Sequence, residues 1–306
     1  MTDWEATLQS WIKPPSDAEE SRRDKTEGEI RQALADYKPL PNAVFRVFAQ
    51  GSYKNKTNVR LKSDVDIAVE LQEGETAPTT SPSVATTDRI GSAKDLTKEA
   101  LGLVDRGSYD TKGFKDHVEA AMVAAFGASK VEPRNKAIRI HPGPTTLPAD
   151  VVPCVPHRRY DSRLDMHRGI RIFPDSGSSI VNFPQQHYDR GVIKNTDTSR
   201  RYKRMVRAFK RMAHHLSTDR VEPLIPGFTV ECLVYNVPNS MFDSDRYLDR
   251  FKALAEYMWF NTYEAERCND WHEVSELKYL FRGSPDSKRK DASDFMWRAW
   301  KEVGGS

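Results

Sequence analysis

The chain has 306 residues, of which 38% are hydrophobic, 30% charged and 10% aromatic. That size and composition predict one large globular domain or two modest ones with a sizeable core, and they exclude a disordered chain or a disulfide-stapled miniature. With 47 basic residues against 44 acidic ones the net charge is +3, which excludes a grossly basic nucleic-acid coat protein but leaves open how the charges are arranged.

No apolar run approaches the roughly 20 residues that a membrane span needs. The opening MTDWEATLQSWI lacks the basic start and apolar stretch of a signal peptide. Cys154, Cys232 and Cys268 are too few and too scattered for a zinc knuckle or a disulfide frame, which points to the reducing cytoplasm.

In chain order, Ser16 as N-cap with Glu19 at the capping-box position predicts a helix to about residue 37, broken by Pro39 and Pro41. Residues 44–49 (VFRVFA) are aromatic and β-branched and predict a strand ended by Gly51; residues 65–71 predict a second. The stretch 74–88 is rich in Ser, Thr and Pro and predicts a loop. A helix is expected at 113–126, then short strands at 137–140, 149–155 and 169–173. After Pro184 the pattern turns helical, at 198–216, 228–235, 246–261 and 292–303. The expected fold class is α+β, with a strand-and-helix catalytic half over 1–185, a helical half over 186–306 and a cleft between them.

The most informative segment runs from Gln50-Gly51-Ser52 to Asp64-Val65-Asp66-Ile67. Side chains alternate along a strand, so Asp64 and Asp66 share one face while Val65 and Ile67 fill the other. Two carboxylates that close repel each other unless a cation joins them. Mg²⁺ prefers oxygen ligands and takes one or two carboxylates plus substrate phosphates. Gly51 lets the backbone approach a ligand closely, and Ser52 with the turn behind it suits phosphate oxygens. Asp150 stands alone in the apolar run 147–153 (LPADVVP), where a charge is costly unless paired or metal-bound. The trio predicts a catalytic site for two Mg²⁺ ions, with Mn²⁺ as the alternative, that activates a hydroxyl and stabilises a pyrophosphate leaving group.

A second cluster spans 200–211 (RRYKRMVRAFKR), with seven basic residues and no acidic one. On a helix, Lys203, Arg207 and Lys210 share a face, and Met205, Phe209 and Met212 the opposite one. A triphosphate would relieve the repulsion within that cationic stripe. The histidines at 141, 157, 167, 187, 214 and 215 lack ligand spacing and read as structural. No Gly-x-Ser-x-Gly, Walker A or Gly-x-Gly-x-x-Gly sequence is present, so serine hydrolase, P-loop and dinucleotide readings have no support.

Taken together, Gln50-Gly51-Ser52, Ser63-Asp64-Val65-Asp66-Ile67 and Asp150 resemble the nucleotidyltransferase signature of the polymerase-beta-like superfamily. More narrowly, the run 51–58 (GSYKNKTN), the run 182–187 (NFPQQH), and Lys194-Asn195 followed by 202–210 (YKRMVRAFK) resemble the bacterial CD-NTases, relatives of cyclic GMP-AMP synthase, and among them the E type. The resemblance covers about residues 40–300. It implies a polymerase-beta-like core with a mixed sheet flanked by helices, packed on a helical C-terminal half. It also implies that Asp64, Asp66 and Asp150 bind Mg²⁺, that Ser52 contacts the donor triphosphate, and that Lys203 and Lys210 do so with Arg207 beside them. Where the family often has a Ser, this chain runs Pro226-Gly227-Phe228-Thr229, so Thr229 substitutes or the contact is lost. Asn182 is the candidate for reading the base.

The implied activity is cyclic oligonucleotide synthesis from NTPs with loss of pyrophosphate, in bacterial anti-phage signalling through an effector that binds the product. A monomer without membrane attachment or nucleic-acid activation is expected. Two other readings keep the fold: a synthase of linear oligonucleotides, and a non-catalytic nucleic-acid sensor. The complete carboxylate trio argues against the second.

Overall fold

A computed structural model describes residues 2–38, 40, 45–59, 64–71, 111–161, 165–217 and 223–305. The loop expected at 74–88 lies outside them. The elements in chain order are α1 (Trp4–Trp11), α2 (Asp17–Asp36), β1 (Phe45–Gln50), the short α3 (Gly51–Asn55), β2 (Val65–Leu71), α4 (Thr111–Phe126), β3 (Val131–Pro133), β4 (Ile138–Ile140) and β5 (Ala149–Tyr160). Then follow β6 (Met166–Ile172), β7 (Ile180–Asn182), α5 (Pro184–Asp197), α6 (Arg201–His215), α7 (Gly227–Tyr235), α8 (Tyr247–Tyr263) and α9 (Asp286–Glu302).

The sheet runs β1-β2-β5-β4-β3, with β6 and β7 added along the far half of β5. β2 and β5 are parallel and the other pairs antiparallel, so the sheet is mixed, as expected. β5 is longer than the predicted 149–155. Its first half pairs with β2 and β4, and its second half, from Val155, pairs with β6. One face of the sheet packs on α2 and α4 through Ile30, Leu34, Val118 and Met122 against Val65, Ile67 and Val151.

The helical half has its own core, centred on Met205, Phe209, Leu233, Phe251 and Phe295. The rings of Phe209 and Phe251 stack with centroids 4.0 Å apart. Residues 1–185 do not all lie with the sheet: Leu8 and Ile12, in and just after α1, join the helical core. The Glu5 carboxylate accepts from the N–H groups of Tyr247 and Leu248 at 3.0 and 2.7 Å, which caps α8 with a negative charge. Ser16 caps α2 by accepting from the Glu19 N–H at 3.3 Å. The N-terminal helices therefore bridge the two halves.

Candidate active site

The site begins where β1 turns into α3. Gly51 has φ +65°, a left-handed backbone that favours glycine, and a Cβ there would collide with the Asp66 carboxylate. The glycine thus lets the turn sit directly on an acidic side chain. Ser52 follows, half-buried on the cleft wall, and its carbonyl accepts from the Thr57 N–H at 2.9 Å. The turn is anchored from behind by Tyr53, whose hydroxyl donates to Glu19 of α2 at 2.9 Å. Burial and then the Glu19 carboxylate push the Tyr53 hydroxyl well above its ordinary pKa, so it stays a donor.

β2 places Asp66 beside Gln50 of β1 on one side and Asp150 of β5 on the other. Asp64 precedes the strand and shares the face of Asp66, while Val65 and Ile67 are fully buried on the other face, as the alternation predicts. Burial first, then the Asp150 and Asp64 carboxylates, push the Asp66 carboxyl up to about 7. Arg139, opposite Asp150 in β4, is the nearby cation. Its guanidinium donates to Asp64 Oδ1 at 2.9 Å, pairs with Asp64 Oδ2 and reaches Asp150 Oδ1 at 3.3 Å. Burial works against that charge, but the hydrogen bonds and negative charge of Asp64 outweigh it and raise the Arg139 pKa.

The opposite wall is built by α6 and α7. Lys210 is buried and ion-paired to Glu231 of α7. Glu231 also accepts from the Thr57 hydroxyl at 2.6 Å and contacts His187 Nε2 at 2.9 Å. Burial alone would raise the Glu231 pKa, but Lys210 and His187 outweigh it and hold the carboxyl far below its ordinary range. Lys203 is half-buried, with its ammonium 5.5 Å from the Tyr188 ring centroid, and Lys54 covers the same ring at 5.0 Å. Burial lowers the Lys203 pKa.

The cleft between these walls has a volume of about 1950 Å³. That exceeds the roughly 300–1,000 Å³ of a site for one drug-sized ligand, and leaves room for two nucleotides. Gln50, Gly51, Ser52, Asp64, Asp66, Asp150, Asn182, Lys210 and Thr229 all line it. Lys203 is not part of that lining and stands behind Tyr188, which is.

Arg207 departs from the expected cationic stripe. It is buried, donating from Nε to the Ile12 carbonyl at 2.8 Å and from Nη1 to the Lys56 carbonyl at 2.6 Å. The α1–α2 elbow and the end of α3 take its Nε and one Nη1 donor, so it ties elements together, and it is not among the residues that line the cleft.

Sequence reasoning missed Glu231, His187, Arg139 and Phe228. Glu231 carried the signal that identified Asp150, a lone carboxylate in an apolar run (FTVECLVY). It is also the counter-charge that α6 itself lacks. His187, read as structural, belongs to that network. Phe228 is 43% exposed on the cleft rim, with its ring 5.7 Å from that of His187. Among the described residues, the one cluster whose ligand atoms all lie within 4.8 Å is Asp161, Asp165 and His167 at the β5–β6 turn. There Arg159 already pairs with Asp161 at 2.7 Å.

Residues 189–304 match the family described as the cGAS/DncV-like nucleotidyltransferase C-terminal helical domain. The cyclic dipyrimidine nucleotide synthase CdnE of Cecembia lonarensis is 36% identical over 98% of both chains. The protein of the same description from Legionella pneumophila is 35% identical, again over 98% of both. Among solved structures, the Elizabethkingia meningoseptica CdnE cyclic dinucleotide synthase with GTP and Apcpp superposes with a TM-score of 0.77 at 30% identity, covering 99% of this chain and 100% of that one. With an α+β core, a helical second half and full-length relatives of this kind, the chain belongs to the CD-NTase family of nucleotidyltransferases that synthesise cyclic oligonucleotides.

Proposed function

We propose that this cleft joins nucleoside triphosphates through Asp64, Asp66 and Asp150 as catalytic and metal-binding residues, with two Mg²⁺ ions. The observation that carries the reading is the register of β2 and β5, which sets Asp66 beside Asp150 under the Gly51–Ser52 turn. The donor set fits the ion: three carboxylates face one space, and no ion pair among the described residues reaches Asp66. When bound, divalent cations neutralise the carboxylates and the triphosphate and polarise the attacking hydroxyl.

The chain's own residues orient the reactants. A ribose hydroxyl of one nucleotide attacks the α-phosphorus of another, its proton passing to a carboxylate of the trio. The bond to the bridging oxygen breaks and pyrophosphate leaves. A second attack of the same kind, within the linear intermediate, closes the ring. Gln50, Gly51 and Ser52 hold the donor triphosphate from the sheet side, with Lys210 and Thr229 opposite and Lys203 behind Tyr188. Arg207 supports the turn from the interior. Phe228 offers a flat apolar face for a base. The Asn182 amide, which both donates and accepts, reads the edge of a base. The two dipyrimidine synthases among the relatives support pyrimidine nucleotides as substrates. The product serves as a second messenger for an effector in anti-phage defence, made by a cytoplasmic monomer.

The test is to incubate purified protein with Mg²⁺ and the four labelled NTPs. A phosphatase-resistant product containing pyrimidine label, absent with Asp64→Ala plus Asp66→Ala, is expected. Wild type and double variant alike giving no resistant product would overturn the reading.

A further inference from the structure

Arg139 holds the Asp64 carboxylate by both oxygens and touches Asp150, yet nothing in the proposed chemistry uses it. It is 16% exposed, and its Nε is buried with no hydrogen-bond partner. The guanidinium is therefore held at its Nη edge, by the charge of the carboxylates rather than by a complete set of donors. It stands on the cleft wall, within the space that the trio encloses. The trio is not drawn in as tightly as Asp161, Asp165 and His167, whose ligand atoms all lie within 4.8 Å of one another.

We propose that Arg139 is the resident counter-ion of the metal site and sets its metal affinity by competing for Asp64. This rests on the reading of Asp64, Asp66 and Asp150 as the metal ligands. A divalent ion approaching Asp64 meets a fixed positive charge and must displace it. The freed guanidinium then faces the cleft, where a triphosphate presents the oxygens that arginine pairs with in bidentate fashion. A metal–NTP complex supplies both halves of the exchange at once, a cation for Asp64 and an anion for Arg139. Metal alone supplies one half and takes from Arg139 the carboxylate that it holds by both oxygens. The arrangement therefore favours metal arriving with nucleotide over metal alone.

The experiment is calorimetric titration of the nucleotide-free protein with Mn²⁺. The proteins compared are wild type, Arg139→Gln, Arg139→Lys, and Asp64→Asn combined with Asp66→Asn. Arg139 engages both oxygens of Asp64, so removing this competing charge should tighten Mn²⁺ binding by about tenfold or more in Arg139→Gln. Arg139→Lys keeps the charge and loses the fork, and should tighten it by a smaller factor. In EDTA, Arg139→Gln should melt below wild type and recover on addition of Mn²⁺. A purely structural arginine would give unchanged or weaker binding in both variants, and that result overturns the inference. Should Arg139→Gln not fold, the Arg139→Lys titration alone decides between these outcomes. Should the double asparagine variant bind Mn²⁺ as wild type does, the metal site is elsewhere, and the ligand assignment falls together with this inference.

Discussion

Glu231 is the residue on which the two halves of the cleft meet. It binds Thr57 after α3, Lys210 on α6 and His187 on α5. Its carboxyl titrates below the ordinary 4.5 in the folded protein. A carboxyl with a depressed folded pKa contributes stability that is complete above its unfolded value and is lost as pH falls below it. The melting temperature should therefore fall as pH drops below about 4.5, and Glu231→Gln should flatten that part of the profile. At neutral pH the same variant leaves Lys210 buried without its partner, at a cost of about 3–5 kcal/mol, which thermal unfolding measures directly. Lys203 makes the contrasting case. It forms no ion pair among the described residues and is half-buried against Tyr188, so Lys203→Ala should raise the KM for NTP with little change in melting temperature. At this scale the placement of the three carboxylates on one cleft wall was legible, because alternation and a lone Asp in an apolar strand are local signals. The division of labour among Lys203, Arg207 and Lys210 was not. A helical wheel puts them on one face, but partners distant in sequence, Ile12, Lys56 and Glu231, decide what each one touches.

Among the described α-helices, α3 is the shortest, and both of its ends are constrained. Gly51 opens it in a left-handed conformation, and Lys56 closes it at φ 55°. The Lys56 carbonyl is held by Arg207. Gly51→Ala should cost about 1–2 kcal/mol for the backbone alone, and its Cβ would push into Asp66. Activity should therefore fall much further than the melting temperature does. Arg207→Ala should do the reverse, lowering the melting temperature by several degrees through two unpaired carbonyls. Strands β1 and β2 were legible from β-branched alternation. α5 was not, because Pro184 reads as a break when it is in fact the first residue of a helix, where its missing N–H costs nothing. The second half of β5, with its His-Arg-Arg-Tyr ending, was also missed. Arg159 there is fully buried against Asp161 and the Leu277 carbonyl, a satisfaction that no local pattern reveals.

For the whole molecule, a net charge of +3 averages two opposed fields facing each other across the cleft. Carboxylates line the sheet side and lysines stand on the helical side, and a metal-bound triphosphate is complementary to both. The fields are less naked than the sequence implies: Arg139 partly neutralises the acidic one and Glu231 the basic one. A ring and a linear chain both need a donor and an acceptor nucleotide in the cleft, and they differ in the ends of the product. Ring closure removes every 5′-triphosphate, whereas a linear product keeps one, so the mass of the product distinguishes the two. Mass spectrometry of the material made from Mg²⁺ and NTPs should find each nucleotide incorporated as its monophosphate residue, with one pyrophosphate released per nucleotide. A product that retains a terminal triphosphate would contradict the account.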